Sequence, residues 1–355
     1  MKGVVLAGGT GSRLRPLTYT MPKQMIPVGG IPVLEHAIGD MRDAGISEIA
    51  IVLGEHGHDD IKGYFGDGSE FSVDITYVYQ GEPLGLGHAV GCAEKFVDGE
   101  PFVLFLGDDL IQRGITDLVE GFDPSTHAGS IAVKPVNDPS RYGIVNLDDD
   151  GDIVGMVEKP NEPPSNLAGI GVFVLTADVF DEIAEVGASW RGEVELSDAI
   201  HRLLTRGERF QSHIVDGWWY DVGTPTDVIA ANRSVLDDIT ESEAAPLDVD
   251  GTIQGRIAAG SEVIVQDGAT VRGPVSLGPG VEIHDGATVG PYTTLEADST
   301  VEDGTVQSSV VLEGATVRTE GRILDSLVGR GATIDVTATG DALKLVVGTD
   351  SQVTL

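Results

Sequence analysis

The sequence has little cysteine, little lysine and no long apolar run. Cys92 is the single cysteine among 355 residues, so no disulfide can form within the chain. No stretch approaches the ~18 consecutive apolar residues of a membrane-spanning helix. An apolar run begins within the first three residues, which leaves no room for a signal peptide before it. We therefore expect a cytoplasmic protein without membrane spans or structural disulfides.

Positive charge is also scarce. The 22 Lys and Arg residues, only seven of them Lys, stand against 57 Asp and Glu residues, and the formal net charge is −35 at pH 7. Such an acidic protein repels nucleic acid and anionic membranes, so we expect neither as a partner. The acidic residues are spread along the whole chain. This indicates adaptation to a halophile's molar salt, in which the Debye length falls to ~3 Å.

Residues 1–236 alternate short apolar runs with longer amphipathic ones. Strands are predicted at Lys2–Leu6, Glu48–Leu53 and Phe102–Leu106, and helices at Pro32–Ala44 and His58–Phe65. This order is typical of an α/β, Rossmann-like domain with a mostly parallel sheet and helices on both faces. Ligands of such domains bind at the carboxyl ends of the strands.

Residues 251–355 follow a different period, after an acidic segment at 237–250 that we interpret as a linker. Nine aliphatic residues occur at an unbroken six-residue spacing: Ile253, Ala259, Val265, Val271, Leu277, Ile283, Val289, Leu295 and Val301. A period of six predicts a parallel β-helix with three short strands in each 18-residue coil. The repeat resembles the left-handed β-helix of hexapeptide-repeat proteins.

A glycine-rich stretch, VVLAGGTGSRLRPLT, follows the first predicted strand. Gly8, Gly9 and Gly11 allow backbone N–H groups to approach a phosphate, and the guanidinium of Arg13 matches phosphate oxygens. We expect a helix to begin after the glycines and to add positive potential. The stretch matches neither the P-loop nor the complete dinucleotide-binding pattern. A basic patch on so acidic a chain predicts an anionic ligand.

Further motifs follow in order: MPKQMIPV, QGEPLGLGHAV, LGDDL, RYGIV, VEKP, SNLAGIGVF, RGEVELSD and WYDVGTP. With the glycine-rich stretch, they closely resemble the nucleoside-diphosphate-sugar pyrophosphorylases, the sugar-phosphate nucleotidyltransferases, over residues 1–234. PKQ and PLGLGHA resemble the glucose-1-phosphate thymidylyltransferase branch. The added β-helix resembles the long form of that branch.

The resemblance implies that glucose 1-phosphate and dTTP react to give dTDP-glucose and pyrophosphate. The sugar phosphate is already an anionic nucleophile, so no general base is needed. Catalysis would rest on positioning and charge stabilisation around an in-line displacement at the α-phosphorus, with Mg²⁺ as cofactor. UTP is the alternative nucleotide, since uracil and thymine differ by one methyl group.

The resemblance also implies roles for individual residues. It assigns the nucleotide to Leu6, Gly8, Gly9, Gly11, Arg13, Lys23, Gln24, Gln80, Pro83, Leu84, Gly85 and Asp108. It assigns the sugar phosphate to Gly143, Glu158, Lys159, Asn166, Gly171 and Arg191. It assigns Mg²⁺ to Asp108 and Asp221. The residues that would act in catalysis are Arg13, Lys23, Asp108, Lys159 and Asp221.

Two positions depart from the family pattern. GDD replaces the usual GDN, so Asp109 stands where the family has a neutral amide. The sugar-site string VTG is Gly169-Ile170-Gly171 here, which removes a hydroxyl donor. We expect the first change to alter metal affinity or to reflect the acidic bias of the chain. The second leaves the identity of the sugar open.

The role of the β-helix stays open between two interpretations. A solenoid with flat, repetitive faces packs readily against copies of itself, so we expect a homo-oligomer. In some relatives with this layout the β-helix is an acetyltransferase with a histidine base, and His284 is the one histidine of the repeat. A third alternative is a non-catalytic regulatory subunit. The basic and acidic motif residues disfavour it, because such subunits typically lose them.

Overall fold

The computed structural model describes residues 1–55, 57–239, 248–337 and 342–355. The chain forms two compact units. The first contains Met1–Thr10 and Leu34–Trp219, and the second contains Gly11–Val33 and Tyr220–Leu355. This division follows compactness, whereas the predicted boundaries at 236 and 251 follow the change of sequence period and stay a prediction. Most of the predicted linker, residues 240–247, lies outside the described residues.

The described part of residues 1–239 contains thirteen strands and eight α-helices. The strands are β1 Lys2–Ala7, β2 Pro27–Val28, β3 Ile31–Pro32, β4 Glu48–Leu53, β5 Asp74–Tyr79, β6 Phe102–Leu106, β7 Asp109–Ile111, β8 Gly129–Pro135, β9 Gly143–Leu147, β10 Asp152–Glu158, β11 Leu167–Leu175, β12 Phe210–Ile214 and β13 Trp219–Asp221. The helices are α1 Val33–Asp43, α2 His58–Phe65, α3 Leu86–Gly91, α4 Glu94–Val97, α5 Thr116–Glu120, α6 Asp178–Glu185, α7 Leu196–Thr205 and α8 Pro225–Asp238. None of the described helices has both the length and the apolar character that crossing a membrane requires.

The first unit is built on a nine-stranded sheet in the order β5-β4-β1-β6-β11-β8-β12-β10-β9. The four strands from β5 to β6 are parallel, as the alternating pattern predicts for a Rossmann-like domain. These strands are near-continuous apolar runs because helices cover both faces, and Val4, Val52 and Leu104 are fully buried. Beyond β6 the sheet is mixed, since β11 runs antiparallel to both its neighbours β6 and β8.

The predicted helix after the glycines is wrong. Ser12–Leu14 form a single 3₁₀ turn, and Arg15 is already extended with φ −59° and ψ 142°. The physical reason is Pro16, whose ring disfavours the helical conformation in the residue before it. The field of a helix N-terminus is therefore not available at this loop, and positive charge there comes from side chains.

The second unit contains the predicted β-helix. Its strands are β14 Asp248–Val249, β15 Thr252–Gln254, β16 Ile257–Ala259, β17 Ile264–Val265, β18 Thr270–Arg272, β19 Val275–Leu277, β20 Glu282–Ile283, β21 Thr288–Val289, β22 Thr293–Leu295, β23 Thr300–Gln307, β24 Val310–Val311, β25 Thr316–Leu324, β26 Leu327–Val328, β27 Thr333–Val336, β28 Val346–Val347 and β29 Gln352–Thr354. They pair in parallel with their neighbours one coil away, and Ile253 lies opposite Val271 in an 18-residue step. The step falls to 16 residues between Leu295 and Val311, where the sequence period slips.

The core of the β-helix is formed by the aliphatic residues that recur at six-residue spacing. Val271, Ile283, Val289 and Leu295 are fully buried in a single apolar column, so the six-residue spacing predicts which side chains point inward. Assembly of the protein through this solenoid stays a prediction. His284 lies on the partly exposed surface, with Nε2 3.0 Å from a carboxylate oxygen of Glu282.

The partly buried carboxyl of Asp40 on α1 should make the stability of the first unit depend on pH. Burial, with a smaller contribution from Asp43, raises the pKa of Asp40 from 3.8 to about 7. The folded state holds this proton more tightly than the unfolded state, so the free energy of unfolding falls as pH rises from about 4 to about 7. We expect Asp40→Asn to be more stable than the parent at pH 8 and equally stable at pH 4. Urea unfolding in molar KCl at both pH values measures this difference. The same difference in unfolding free energy between Asp40→Asn and the parent at pH 4 and at pH 8 would contradict the raised pKa of Asp40.

Candidate active site

The carboxyl ends of the parallel strands bring several motif residues to one edge of the first unit. Gly8 follows β1, Gln80 follows β5 and Asp108 follows β6. A Cβ atom on Gly8 would lie 2.6 Å from Oε1 of Gln80, so only glycine allows this close approach. The amide of Gly107 donates to the carbonyl of Leu6 at 2.9 Å and fixes the strand end that carries Asp108. The sheet thus aligns backbone amides, an amide side chain and a carboxylate along one edge.

The loop after Gln80 is joined to the RGEVELSD segment. Val194 donates its amide to the carbonyl of Leu84 at 2.8 Å and accepts from the amide of Gly87 at 2.8 Å. Gly85, with φ +117°, leaves no room for a side chain because a Cβ would lie 2.6 Å from the carbonyl oxygen of Val194. The loop predicted for the base is therefore hydrogen-bonded to the segment that carries Arg191, which is predicted for the sugar phosphate.

Strands β9, β10 and β11 bring the predicted sugar residues together. Gly143 lies opposite Glu158 in the β9–β10 register, and a Cβ on Gly143 would be 3.1 Å from Oε2 of that glutamate. Ala168, at the start of β11, pairs with Ile144. Asn166 precedes β11 and accepts the amide of Val136 at 2.9 Å through its backbone carbonyl. The segments that carry these residues are therefore neighbours, as the resemblance implies.

Arg191, predicted to hold the sugar phosphate, is surrounded by carboxylates. Its guanidinium lies 3.7 Å from Glu158, 3.1 Å from Glu193 and 3.3 Å from Glu195. Lys159 lies 3.2 Å from Glu158. The cluster thus holds three acids and two bases, and an arriving phosphate must compete with these acids. Sequence reasoning missed the roles of Glu193 and Glu195, although both stand in a quoted motif.

Glu195 is the most buried acid of this cluster, at 4% exposure. Burial raises the pKa of this carboxyl above its usual range, while the hydroxyl of Ser189 and the charge of Arg191 act in the opposite direction. The Ser189 hydroxyl donates to Glu195 at 3.0 Å. Glu195 therefore anchors Arg191 from below, on the side away from solvent.

Asp109, the departure from the family's GDN, is buried at 3% exposure and faces away from solvent. It accepts the indole N–H of Trp219 at 3.2 Å, and the Trp219 ring packs edge-on against Tyr142 at 5.3 Å. A Cβ on Gly171 would coincide with an oxygen of Asp109, which explains the glycine. Asp109 thus holds the aromatic pair in place beside Gly171.

The second unit carries the remaining predicted residues. Gly11 adopts φ +61° and lies against Lys23 and Thr18, whose hydroxyl donates to the carbonyl of Gly11 at 2.7 Å. The Arg13 guanidinium lies over Gly223, where a Cβ would be 2.6 Å from one of its nitrogens. Among the described residues Arg13 has no carboxylate partner, in a chain with 57 acids. An exposed cation without a partner is suited to an anionic ligand.

Gln24 is buried, with 1% of its surface exposed, and its side-chain oxygen has no hydrogen-bond partner among the described residues. A buried acceptor without a donor is costly, by about 1–3 kcal/mol, unless a ligand supplies one. The N3–H of thymine or uracil is such a donor, whereas N3 of cytosine is an acceptor. The resemblance assigns this residue to the base, and the orphan oxygen is consistent with that assignment.

Asp108 and Asp221 are the two carboxylates that the resemblance assigns to Mg²⁺. No group of three or more His, Cys, Asp or Glu side chains in the described parts of the chain is arranged to hold a metal. Mg²⁺ does not need one, because it usually takes one or two carboxylates together with phosphate oxygens and water. Asp108 is partly buried at the end of β6, and Asp221 ends β13. Each carboxylate offers the hard oxygen donors that Mg²⁺ prefers, and the assignment stays a prediction.

Comparison with known proteins adds independent information. A family model described as nucleotidyl transferase matches residues 2–238. The low-salt glycan biosynthesis nucleotidyltransferase Agl11 of Haloferax volcanii is 48% identical over 359 residues, which cover 100% of both chains. A glucose-1-phosphate thymidylyltransferase of Streptomyces griseus is 37% identical over 359 residues and 99% of both chains.

A solved structure is also similar. A Bacillus anthracis protein, described as a candidate glucose-1-phosphate thymidylyltransferase and crystallised with a sucrose, superposes with a TM-score of 0.63 at 35% identity. The superposition covers 68% of this chain and 98% of that one. The full-length agreement with the two sequence relatives extends through the β-helix, whereas this structure matches about two thirds of the chain.

Proposed function

The chain belongs to the nucleotidyl transferase family, and we propose that it makes dTDP-glucose and pyrophosphate from glucose 1-phosphate and dTTP, with Mg²⁺ as cofactor. The contacts between two motif segments of the first unit carry the proposal. There the Gln80–Gly87 loop is hydrogen-bonded to the segment at Val194, and Arg191 of that segment is paired with Glu158. A loop assigned to the nucleotide is thus joined to Arg191 and Glu158, which are assigned to the sugar phosphate. The thymidylyltransferase from Streptomyces griseus supports the choice of substrates.

The reaction forms a bond between a phosphate oxygen of the sugar phosphate and the α-phosphorus, and breaks the bond to pyrophosphate. No proton has to be removed, so the residues act by position and charge. In the proposal Arg13 and Lys23 bind the triphosphate and stabilise the departing pyrophosphate. Lys159 and Arg191 bind the sugar phosphate. Mg²⁺, held by Asp108 and Asp221, would neutralise charge that develops on the phosphate oxygens.

A substrate panel tests the proposal. Pyrophosphate release is measured in molar KCl with Mg²⁺, with glucose, galactose and glucosamine 1-phosphates each crossed with dTTP, UTP, GTP and CTP. We expect the highest kcat/KM for glucose 1-phosphate with dTTP. A maximum for glucosamine 1-phosphate with UTP would instead support the uridylyltransferase alternative and direct attention to His284. No release from any pair by a folded protein would support the regulatory subunit.

UTP should be turned over as a second substrate. UTP lacks the methyl group of dTTP and carries an additional 2′-hydroxyl. A missing methyl group contributes only about 1–3 kcal/mol, and an apolar pocket does not strongly reject an added hydroxyl. The orphan oxygen of Gln24 suits uracil as well as thymine. We expect kcat/KM for UTP to be about 10-fold to 200-fold below that for dTTP, and CTP to be poorer than both. Initial rates at saturating glucose 1-phosphate measure the ratio. The absence of UTP turnover at high concentration would contradict this expectation.

A further inference from the structure

A short hairpin in the second unit contacts the β-helix. Strands β2 and β3 pair Val28 with Ile31, and Gly29 and Gly30 form the two-residue turn with φ of +69° and +98°. A Cβ on Gly30 would lie 2.4 Å from the Ser276 hydroxyl oxygen of β19. The missing side chain of Gly30 allows the hairpin tip to approach the β-helix, and that of Gly29 allows it to approach Val235 of α8.

Asn232 of α8 connects the hairpin tip to the β-helix and is fully buried. Its side-chain oxygen accepts the backbone amide of Gly29 at 2.8 Å and the hydroxyl of Thr294 at 2.8 Å. Its side-chain nitrogen donates to the carbonyl of Tyr292 at 3.1 Å. One amide side chain therefore ties together the hairpin, α8 and two residues at strand β22.

The other part of the same segment contacts the last coil. The hydroxyl oxygens of Thr20 and Thr349 lie 2.6 Å apart, and a Cβ on Gly348 would be 3.2 Å from the side chain of Pro16. Segment 11–33 is thus attached to the β-helix on both sides of Lys23 and Gln24. The division of the chain into compact units reflects this, because it groups the segment with residues 220–355.

We infer that the β-helix holds the nucleotide-binding segment 11–33 in its working geometry, and that Asn232 is the positioning residue. The inference rests on the proposed function for the roles of Arg13, Lys23 and Gln24. Asn232 touches no reacting atom and acts through the backbone of Gly29. The β-helix then contributes to nucleotide binding in each single chain, independently of any assembly.

A matched pair of substitutions tests this inference. Thr294→Val removes one donor to Asn232 and changes the shape of the side chain little. Thr293→Val makes the same change at the adjacent, fully buried residue, whose hydroxyl has no hydrogen-bond partner among the described residues. Asn232→Ala removes all three bonds, and Thr294→Val keeps the test valid if that stronger variant does not fold.

Hydrogen exchange of residues 11–33 is measured first, without any substrate, so its outcome does not depend on the proposed activity. We expect Thr294→Val to exchange the Gly29 amide about fivefold faster, the factor given by one neutral hydrogen bond, and Thr293→Val to match the parent. In steady-state assays, Thr294→Val should raise the KM for dTTP or lower kcat by a similar factor, with an unchanged KM for glucose 1-phosphate.

The outcomes distinguish the positioning role of Asn232 from the proposed function of the protein. Equal exchange and equal kinetics for the two valine variants would overturn the positioning role. A lower melting temperature for Thr294→Val, with kinetics equal to the control, would do the same, because it would mark Thr294 as structural only. A parent protein that is inactive on every substrate pair would contradict the proposed function, whereas the exchange difference would still support the attachment.

Discussion

Asp108→Ala should lower the turnover of dTTP and glucose 1-phosphate more than about 100-fold while the protein stays folded. Asp108 lies two residues after the end of β6, at the edge that also carries Gly8 and Gln80. Its carboxylate is one of the two assigned to Mg²⁺, and loss of either would leave phosphate charge without compensation. The measurement is pyrophosphate release in molar KCl over a range of Mg²⁺ concentrations, with circular dichroism to confirm folding.

Asp109 offers the matched control for Asp108. It is the next residue and also a carboxylate, but it is buried against Gly171 and accepts the indole N–H of Trp219. Asp109→Asn keeps both the shape and an acceptor oxygen, so we expect turnover within about fivefold of the parent. Near-normal turnover of Asp108→Ala would overturn the metal assignment. Equal losses in Asp108→Asn and Asp109→Asn would show that the neighbouring carboxylates are not distinguished.

Arg13→Ala should reduce kcat/KM for dTTP by about 100-fold to 1,000-fold, because a guanidinium that binds the triphosphate stabilises the departing pyrophosphate. The structure adds a second way to displace the same group. A Cβ on Gly223 would lie 2.6 Å from a guanidinium nitrogen, and this tip of a flexible side chain can move away without disturbing the backbone. We therefore expect Gly223→Ala to lose at least about 10-fold in kcat/KM with little loss of stability.

A double-mutant cycle decides whether Gly223 acts through Arg13. If it does, Arg13→Ala combined with Gly223→Ala is no worse than Arg13→Ala alone. Gly187→Ala is the control, since a Cβ there meets no atom within 4 Å. Additive losses in the double variant would mean that Gly223 affects activity by another route. Full activity of Arg13→Ala would remove Arg13 from the proposed site.

Two kinds of feature could be predicted from the sequence: the repeating core of the β-helix and the residues that follow the parallel strands. The six-residue period identified the inward-facing residues of the β-helix, because a solenoid core depends only on local spacing and neighbouring coils. The positions of Gly8 and Asp108 followed from the rule that carboxyl ends of parallel strands share one edge. The α-helix predicted after the glycines does not form, since Pro16 disfavours the helical conformation in the residue before it.

The sequence could not predict partners that are distant along the chain. Two of the acids that surround Arg191 lie within four residues of it, but nothing in RGEVELSD indicates that Glu193 and Glu195 fold back onto the guanidinium. Asn232 gave no signal at all, because its partner Gly29 is 203 residues away. Long-range hydrogen bonds of this kind depend on the packing of whole elements, which local pattern does not specify.

The two attachments of segment 11–33 restrict how the β-helix can evolve in length. Gly29 is tied through Asn232 to Thr294 in β22, and Thr20 meets Thr349 just after β28, three strands further along the same sheet. Adding or deleting one coil between these strands would shift Thr349 by one strand spacing, about 4.8 Å, while Gly29 stayed in place. Only eight residues lie between Thr20 and Gly29, so the two attachments can stay in place together only with the present number of coils. An insertion of 18 residues would here displace the segment that we propose to bind the nucleotide.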